Sequence, residues 1–458
     1  MRLLSFACAA ALGALSLASF AATPTAPVTH VPGSEAIVSH TLANGLKIIV
    51  WPNHAIPSAN YYTFYKVGSR NERPGITGLA HFFEHMMFNG TSKRAPGEFD
   101  RTMEASGGSN NASTSSDLTI YTDWFPASAL GTIFDLEGDR MANLAFDPKV
   151  IESEREVVYS ERRSSVDNDN FGTLMEQMQA AAYIAHPYHI PTIGWPSDIE
   201  HWTSADLKQF FKTYYAPNNA VLVIVGDVNP DEVFALANRH LAPLAKQPAP
   251  TPVTTVEPEQ LGERRLVVER ADAQSPILAY AFHTGLGAGS KNHPTLELLS
   301  TILAEGQSSR LHQRLVEQEQ AAVSAGAFAE AGFDPGLLWV YAMLPPGGDL
   351  AQVEALLDDE LSKIATDGVS AVELEKARNL KLSEFWRGMS TINGKAQALG
   401  SAEVFEGDFR KAFDVPAAFN AVTATDIQTL AKKILRKQNR TTGSILPSVQ
   451  TASKETTP

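Results

Sequence analysis

The sequence predicts an α+β protein of two homologous domains joined by a proline-rich linker, each domain a mostly antiparallel β-sheet packed with α-helices. Three observations lead to this prediction. Strand-like runs are mixed with long amphipathic helical patterns in both halves of the 458-residue chain, a proline-rich segment separates the halves, and similar features recur in each. A chain of this length also exceeds one typical hydrophobic core, which indicates at least two domains.

Residues 1–21 have the pattern of a secretory signal peptide. The basic start Met1-Arg2 precedes an uncharged apolar run that extends from Leu3 to Phe20. A transmembrane anchor and a buried helix are the alternatives, but the run is short for a membrane span and a proline-rich stretch follows it. The pattern therefore predicts a secreted protein, most simply one of a bacterial periplasm.

Composition narrows the classes of function. The only cysteine, Cys8, lies in the expected signal peptide, so any transition metal must be bound by histidine and carboxylate side chains. The formal net charge of −14 argues against a nucleic-acid partner, because phosphate binding needs clusters of lysine and arginine. No other apolar stretch is long enough to cross a membrane, so no membrane span is expected after signal removal.

The first domain is expected to cover residues 35–241. Alternating or continuous apolar runs predict its strands, and apolar residues at helical spacing predict its helices. The expected strands are Leu46–Val50, Ala59–Val67, Leu118–Trp124 and Ala220–Val225. The expected helices are Thr77–Phe88, Ala127–Leu144, Pro148–Arg163 and Ser204–Tyr215.

The second domain is expected to cover residues 261–447, after a linker at 242–260 that contains five prolines and no apolar periodicity. Like the first domain it opens with a strand pair, here Leu266–Glu269 and Ile277–Phe282. Where the first domain has a histidine-rich helix, the second has Leu296–Glu305, which contains no pair of histidines.

Two threonines mark the repeat. Thr203 and Thr423 lie 220 residues apart, and each is a helix N-cap candidate followed three residues later by an aspartate. The two domains are therefore expected to be related copies. The polar tail, residues 448–458, is expected to be disordered.

The segment that carries chemistry lies in the helix expected over Thr77–Phe88. A helix places His81 and His85 one turn apart on one face, where both imidazoles reach a single ion, and Glu84 beside them reaches a water on that ion. Two core histidines with a surface glutamate are the alternative. Burial of three ionisable groups without a partner is costly, so the pattern favours a metal site of the H-x-x-E-H type.

A hydrolytic zinc site needs a third protein ligand and an open position for water. The candidate segment is the helix expected over Pro148–Arg163, where Glu154 and Glu161 lie about two turns apart and share a face, while Glu152 and Glu156 point elsewhere. A solvated acidic helix face is the alternative for this segment.

These motifs resemble the pitrilysin family of zinc metallopeptidases, which includes insulin-degrading enzyme and the mitochondrial processing peptidase. The similarity is carried by GLAHFFEHMMFNGT at 78–91, by EREVVYSE at 154–161 and by the interval of 76 residues between His85 and Glu161. Three further segments of the first half also match the family, namely GGSNNAST at 107–114, HPYHIPTIG at 186–194 and YYAPNNAVLVIVGDV at 214–228.

The resemblance implies a metalloendopeptidase with one Zn2+ per chain. It implies His81, His85 and Glu161 as the ligands, Glu84 as the general base that activates water, and Glu154 as a carboxylate that steadies a ligand.

The resemblance also implies a substrate edge. Asn111 is expected near the site, where it orients the ligands or the substrate backbone, and residues 110–113 are expected at a sheet edge that peptides join as a strand. A turn at Asn110-Asn111 is the alternative. Peptides and unfolded polypeptide segments are the expected substrates.

The second half departs from the active single-chain relatives. Those enzymes supply an arginine and a tyrosine seven residues apart to bind substrate and the developing oxyanion, whereas Val316 and Val323 stand at the expected positions here. Arg310 and Arg314 are interpreted as packing or surface residues. The family's two-chain enzymes place the pair on a partner, so the chain is expected to be a zinc-bearing subunit.

The expected partner is a homologous subunit that bears the arginine and the tyrosine, in a heterodimer, or a second copy in a homodimer. Two other classes of function remain open. The first is a non-catalytic scaffold of a larger complex, and the second is a periplasmic protein that binds metal or peptides without cutting peptides.

Overall fold

The computed structural model describes residues 30–448 of the chain. The expected signal peptide at 1–21, with Cys8, lies outside the described residues, as does the expected tail apart from Ser448. Within the described range, no helix has both the length and the apolar character needed to cross a membrane.

A six-stranded sheet organises the first half. Its strands are β1 (Val38–Thr41), β2 (Lys47–Pro52), β3 (Ser58–Tyr65), β4 (Ser109–Thr114), β5 (Thr119–Pro126) and β6 (Ala220–Gly226). The strand order is β1-β2-β6-β3-β5-β4, and every neighbouring pair is antiparallel except β2 and β6.

The first half contains eight α-helices within the described residues. They are α1 (Leu79–Met86), α2 (Glu98–Ala105), α3 (Leu130–Asn143), α4 (Pro148–Arg162), α5 (Asn170–Ala182), α6 (Pro196–His201), α7 (Ser204–Tyr214) and α8 (Pro230–His240). The apolar spacing predicts four of them, namely α1, α3, α4 and α7. One face of the sheet packs on the apolar faces of α1, α3, α7 and α8 and forms the main core, with Phe82, Phe83 and Phe134 fully buried.

A five-stranded sheet organises the second half. Its strands are β7 (Arg264–Arg270), β8 (Ile277–His283), β9 (Ser324–Ala329), β10 (Leu337–Met343) and β11 (Arg440–Pro447). Its helices are α9 (His293–Ala304), α10 (Leu350–Asp367), α11 (Ala371–Met389), α12 (Ile392–Glu406), α13 (Val415–Ala421) and α14 (Ala424–Ile434). Residues 241–263, between α8 and β7, form no helix or strand.

The two sheets share one topology. The order β7-β11-β8-β10-β9 repeats β2-β6-β3-β5-β4, and each sheet has one parallel pair, β2 with β6 in the first and β7 with β11 in the second. Thr203 and Thr423 form capping boxes that begin α7 and α14, the helices before the last strand of each half. The predicted α+β fold of two related domains is confirmed.

The strand pair expected at the start of the second half forms, as does its counterpart in the first, but the two strands of each pair are not neighbours in the sheet. The opening strands of each half, β2 with β3 and β7 with β8, do not pair with each other, because the last strand lies between them. That last strand arrives after a long crossover through the helices, which lets it run parallel to the first strand. Hydrophobic patterns predict that a segment is a strand but not which strand lies beside it.

The halves also exchange a helix. Leu174, Met178 and Ala182 of α5, in the first half, pack on the second sheet. In turn α12, the corresponding helix of the second half, packs Ala396 and Leu399 on the first sheet. Each sheet is therefore covered on its second face by a helix of the other half.

Two glycines permit this close packing. A Cβ on Gly400 of α12 would overlap the ring of Phe64 in β3, and a Cβ on Gly443 of β11 would overlap Met178 of α5. Each exchanged helix therefore packs closely on its sheet through a glycine, which lies on the helix in one case and on the strand in the other.

Candidate metal centre

The helix α1 carries the expected site and is fixed at its N-terminus. Gly78 adopts φ 87°, a left-handed conformation that glycine accepts without strain. The buried carboxylate of Glu72 accepts hydrogen bonds from the backbone N–H groups of Gly78 and Ala80, both at 2.7 Å. Burial raises the pKa of Glu72 well above its usual value, against the effect of these hydrogen bonds.

The structure brings the three expected ligands together. Nε2 of His81 lies 3.5 Å from Oε1 of Glu161, and Nε2 of His85 lies 3.3 Å from Oε2 of Glu161. The imidazole rings of His81 and His85 are 4.8 Å apart, and one ligand atom from each of the three residues lies within 4.8 Å of the others. Within residues 30–448 this is the one such cluster of histidine and acidic side chains.

The cluster fits zinc. Ligands about 2.1 Å from a tetrahedral zinc ion are separated by about 3.4 Å, close to the two separations between Glu161 and the histidines. Nδ1 of His81 is buried without a hydrogen-bond partner, while its Nε2 faces Glu161. Two imidazole nitrogens and one carboxylate oxygen form a donor set that zinc accepts, with a fourth position left for water.

Glu154 orients one of these histidines. Its Oε1 lies 2.8 Å from Nδ1 of His85, and its Oε2 accepts a hydrogen bond from the side-chain amide of Asn89 at 2.7 Å. When Nδ1 carries the proton, Nε2 of His85 presents its lone pair to the cluster. Asn89 was not predicted as a site residue, although it lies within the matched segment 78–91.

The electrostatics of the cluster favour a cation. Burial lowers the pKa of His85, but Glu154 and Glu161 outweigh burial and raise that pKa to about 9. The neighbouring histidines, His81 first, hold the pKa of Glu161 well below its usual value. Two carboxylates beside two imidazoles therefore form a site that attracts positive charge, whether protons or a metal ion.

Glu84 and the expected substrate edge lie next to the cluster. Glu84 is half-buried on α1, and its Oε2 accepts a hydrogen bond from the hydroxyl of Thr114 at 2.5 Å. Thr114 ends β4, which is the edge strand of the first sheet. The turn considered for Asn110-Asn111 is absent, since both residues belong to β4.

Asn111 faces solvent on this strand. Within the described residues its side chain makes no hydrogen bond, and its backbone carbonyl accepts one from Thr122 at 3.2 Å. Thr114 was not predicted as a site residue, because nothing in the sequence places the end of β4 beside α1.

The segment expected to hold an arginine and a tyrosine has neither at those positions. Val316 lies half-buried in a π-helical turn, His312–Gln318, and Val323 is 61% exposed just before β9. Arg310 forms an ion pair with Glu373. Arg314 forms ion pairs with one glutamate just after that turn and with another on α10. Both arginines are therefore committed to structural contacts.

Known proteins resemble this chain over most of its length. The family model described as "Insulinase (Peptidase family M16)" matches residues 49–195, and "Peptidase M16 inactive domain" matches residues 201–381. The zinc protease PqqE of Helicobacter pylori is 31% identical over 426 residues, which cover 92% of this chain and 94% of that protein. The chain belongs to peptidase family M16. Pitrilysin-type peptidases form this family, so the resemblance seen in the motifs is confirmed.

Solved structures of two proteases extend the comparison. A protease from Helicobacter pylori superposes with a TM-score of 0.86 at 30% identity, over 90% of this chain and 99% of that one. The periplasmic protease PqqL from Escherichia coli gives a TM-score of 0.75 at 20% identity, over 91% of this chain but 48% of that one. This M16 chain therefore has the length of about half of PqqL.

Proposed function

We propose that the chain is a zinc-dependent endopeptidase that hydrolyses peptides or unfolded polypeptide segments. The observation that carries the proposal is the convergence of His81, His85 and Glu161, with Glu84 on the same helix beside them. Relatives that are named zinc proteases support this function.

Each residue of the site has a distinct role in the proposed hydrolysis. His81, His85 and Glu161 hold the ion, and Glu154 fixes the tautomer and orientation of His85. Zinc, when bound, supplies a Lewis acid that activates water and polarises the scissile carbonyl. Glu84 takes the proton from the attacking water and then delivers it to the leaving amine.

Substrate is proposed to bind at the free edge of β4. This strand pairs with β5 on one side only, so its other side offers backbone N–H and C=O groups to an extended peptide. Asn111, exposed on that strand, is the proposed contact with the substrate backbone. Backbone recognition of this kind accepts unfolded segments and excludes folded proteins.

A homologous partner subunit is proposed to complete the site. The chain lacks the arginine and tyrosine at Val316 and Val323, and PqqL, a chain of about twice the length, contains a half that resembles this one. We propose a heterodimer with an Arg/Tyr-bearing homologue, with a homodimer as the other arrangement. Because PqqL is described as periplasmic, a periplasmic location after cleavage of residues 1–21 belongs to the same proposal.

The domain boundaries are likewise proposed as first predicted, at 35–241 and 261–447 with a linker at 242–260. The absence of helix and strand from residues 241–263 supports them.

Glu84→Gln tests the proposed activity. The variant should keep about one zinc per chain and lose hydrolysis of an internally quenched peptide by roughly a hundredfold or more, since general acid–base catalysis contributes on the order of 10² to 10⁴. Glu156→Gln, on the exposed face of α4, is the matched control and should retain activity. Hydrolysis that survives Glu84→Gln contradicts the assigned role.

A scaffold or a peptide-binding subunit is the second candidate function. The observation that favours it is the match of residues 201–381 to a domain described as inactive. Zinc and peptide binding without turnover, even beside a homologous Arg/Tyr-bearing subunit, would support this candidate over the peptidase.

A further inference from the structure

Thr114 hydrogen-bonds Glu84 but is not one of the expected zinc ligands. Its Oγ1 donates a hydrogen bond of 2.5 Å to Oε2 of Glu84. Within residues 30–448 no other side chain hydrogen-bonds Glu84. The hydroxyl occupies one carboxylate oxygen, so Oε1 of Glu84 keeps its lone pairs for another proton donor.

The turn between β4 and β5 fixes the backbone of Thr114. It ends β4 opposite Thr119, and Ser115 begins the turn to β5 with a backbone hydrogen bond to Leu118 at 2.8 Å. The hydroxyl of Ser115 accepts the N–H groups of Asp117 and Leu118, which closes this turn. A threonine also has few χ1 rotamers, so a fixed backbone fixes the direction of its hydroxyl.

Hydrogen bonds to another segment of the first half fix the turn between β4 and β5. The backbone carbonyls of Ser115 and Ser116 accept hydrogen bonds from the N–H groups of Ser69 and Arg70, at 3.3 and 2.9 Å. A Cβ on Gly68 would overlap the backbone of the turn, so the glycine permits this close approach.

The second half also reaches this turn. Asp117, which is 5% exposed, pairs with Arg70 at 3.1 Å and accepts hydrogen bonds from the hydroxyl of Tyr188 and the N–H of Phe333. Tyr188 belongs to the matched segment 186–194, and Phe333 lies in the loop between β9 and β10. The end of β4 is therefore anchored by both halves of the chain.

We propose that Thr114 is a positioning residue that holds the carboxylate of Glu84 in the orientation that general-base catalysis requires. The inference rests on the proposed peptidase function and adds a residue to it. Thr114 touches neither the ligand set nor the leaving group, so it acts through Glu84. Its place at the end of the substrate edge strand couples the geometry of the base to the strand that receives the peptide.

The proposal predicts that loss of the Thr114 hydroxyl lowers kcat and leaves KM almost unchanged. Thr114→Val keeps the size and branching of the side chain and removes the hydroxyl, so kcat should fall about tenfold to a hundredfold, as loss of a hydrogen bond to a charged group does. KM and zinc per chain should stay within about twofold to threefold of wild type. Thr114→Ser restores the hydroxyl and should recover most of kcat. A merely structural role predicts no such rescue.

Thr41→Val is the matched control. Thr41 is also the last residue of an edge strand of this sheet, at the opposite edge, and its side chain is exposed. The full chain is assayed with an internally quenched peptide, with and without a homologous Arg/Tyr-bearing subunit. Wild-type turnover with an unchanged kcat for Thr114→Val would overturn the inference and leave the peptidase function standing.

A crystallographic comparison tests the inference even without turnover. In crystals of the zinc-loaded wild type, the hydroxyl of Thr114 should lie within hydrogen-bond distance of Glu84, and in Thr114→Val the carboxylate should rotate or spread over several rotamers. A Glu84 side chain that keeps one unchanged orientation in Thr114→Val would overturn the inference. Absence of wild-type turnover in every preparation counts against the peptidase function instead.

Discussion

The histidine–carboxylate cluster of the first half and the equivalent region of the second half are built on the same topology with different side chains. In the first half, α1 presents His81 and His85, and α4 faces them with Glu161. In the second half, α9 presents Glu297 to a cleft of about 1380 Å³, which α11 lines with Lys381. The same pair of helices thus frames a histidine–carboxylate cluster in one half and a lysine–carboxylate cluster in the other.

The difference lies in the groups that pair with the carboxylates of each half. Nζ of Lys381 lies 3.0 Å from Glu384 and 3.5 Å from Glu305, so the second half carries its own cation. In the first half, Glu154 and Glu161 pair with the imidazoles of His81 and His85, and Glu154 also accepts a hydrogen bond from Asn89. The expected ligand set therefore lies in the first half, while the equivalent helices of the second half carry a lysine that is ion-paired with glutamates.

Loss of a zinc ligand should have the largest effect. His85→Ala leaves two ligands and should reduce zinc to background, with loss of peptide hydrolysis, because structural and catalytic zinc sites need at least three protein ligands. His293→Ala, at the start of α9, removes the 2.9 Å contact to Glu297 and should leave zinc unchanged. Zinc per chain after dialysis is the measurement. Retention of zinc by His85→Ala, or its loss from His293→Ala, would break the comparison.

Removal of the carboxylate behind His85 should have the next largest effect. Glu154→Gln should weaken zinc binding by about tenfold to a hundredfold, the usual consequence of losing a ligand's hydrogen-bonded partner. Glu384→Gln, beside Lys381 on α11, should leave the zinc Kd unchanged. Competition with a chelator measures both values. An equal Kd for Glu154→Gln and wild type would show that this glutamate does not support the site.

The exchanged helices predict unequal costs at two matched glycines. Gly400→Ala should lower the free energy of unfolding by about 2 kcal/mol, because the rigid ring of Phe64 blocks the new methyl group. Gly443→Ala should cost less, because the flexible side chain of Met178 can move aside. Gly131→Ala has open space in α3 and should be neutral or stabilising by up to about 1 kcal/mol.

Chemical denaturation measures this series. The expected order of stability is Gly131→Ala, then Gly443→Ala, then Gly400→Ala. If Gly400→Ala is as stable as Gly131→Ala, then α12 does not pack on the first sheet as described.

A pH dependence confined to the second half should be the smallest effect. Burial alone would raise the pKa of Glu263, but hydrogen bonds from Arg265, Arg440 and Thr442 outweigh it and lower the pKa to about 2. A carboxyl with a lowered folded-state pKa stabilises the protein above its unfolded-state pKa, and this stability is lost as pH falls toward 2.

Glu263→Gln should therefore cost about 1 kcal/mol near pH 6, a small value because solvent screens the partly exposed pair. The Tm difference from wild type should shrink between pH 5 and pH 3. Glu375→Gln, exposed on α11, is the control and should show no such trend. A constant Tm difference for Glu263→Gln across this range would contradict the linkage.

Helical spacing predicted the two helix faces that carry the ligand cluster, and the resemblance to the pitrilysin family assigned Glu161 as the third ligand. His81 and His85 are one turn apart, and the two acids of α4 are two turns apart, so short-range geometry defines both faces. Glu72 and Thr114 escaped prediction because they reach α1 from other segments, and no local spacing reports such contacts. The polar strand β4 also lacks the apolar alternation by which strands are recognised.

Some features of the fold could be predicted from the sequence and others could not. Apolar patterns predicted four of the six strands and four of the eight helices of the first half, with ends within about three residues of those observed. The exchange of α5 and α12 could not be predicted, because an amphipathic pattern shows that a helix has a buried face but not which sheet covers it.

Anomalous diffraction at the zinc edge from crystals of the zinc-loaded chain tests the central claim most directly. We expect one peak per chain, between His81, His85 and Glu161, and no peak beside Lys381 in the second half. A strong peak in the cleft between α9 and α11, or no peak at the three ligands, would contradict the account.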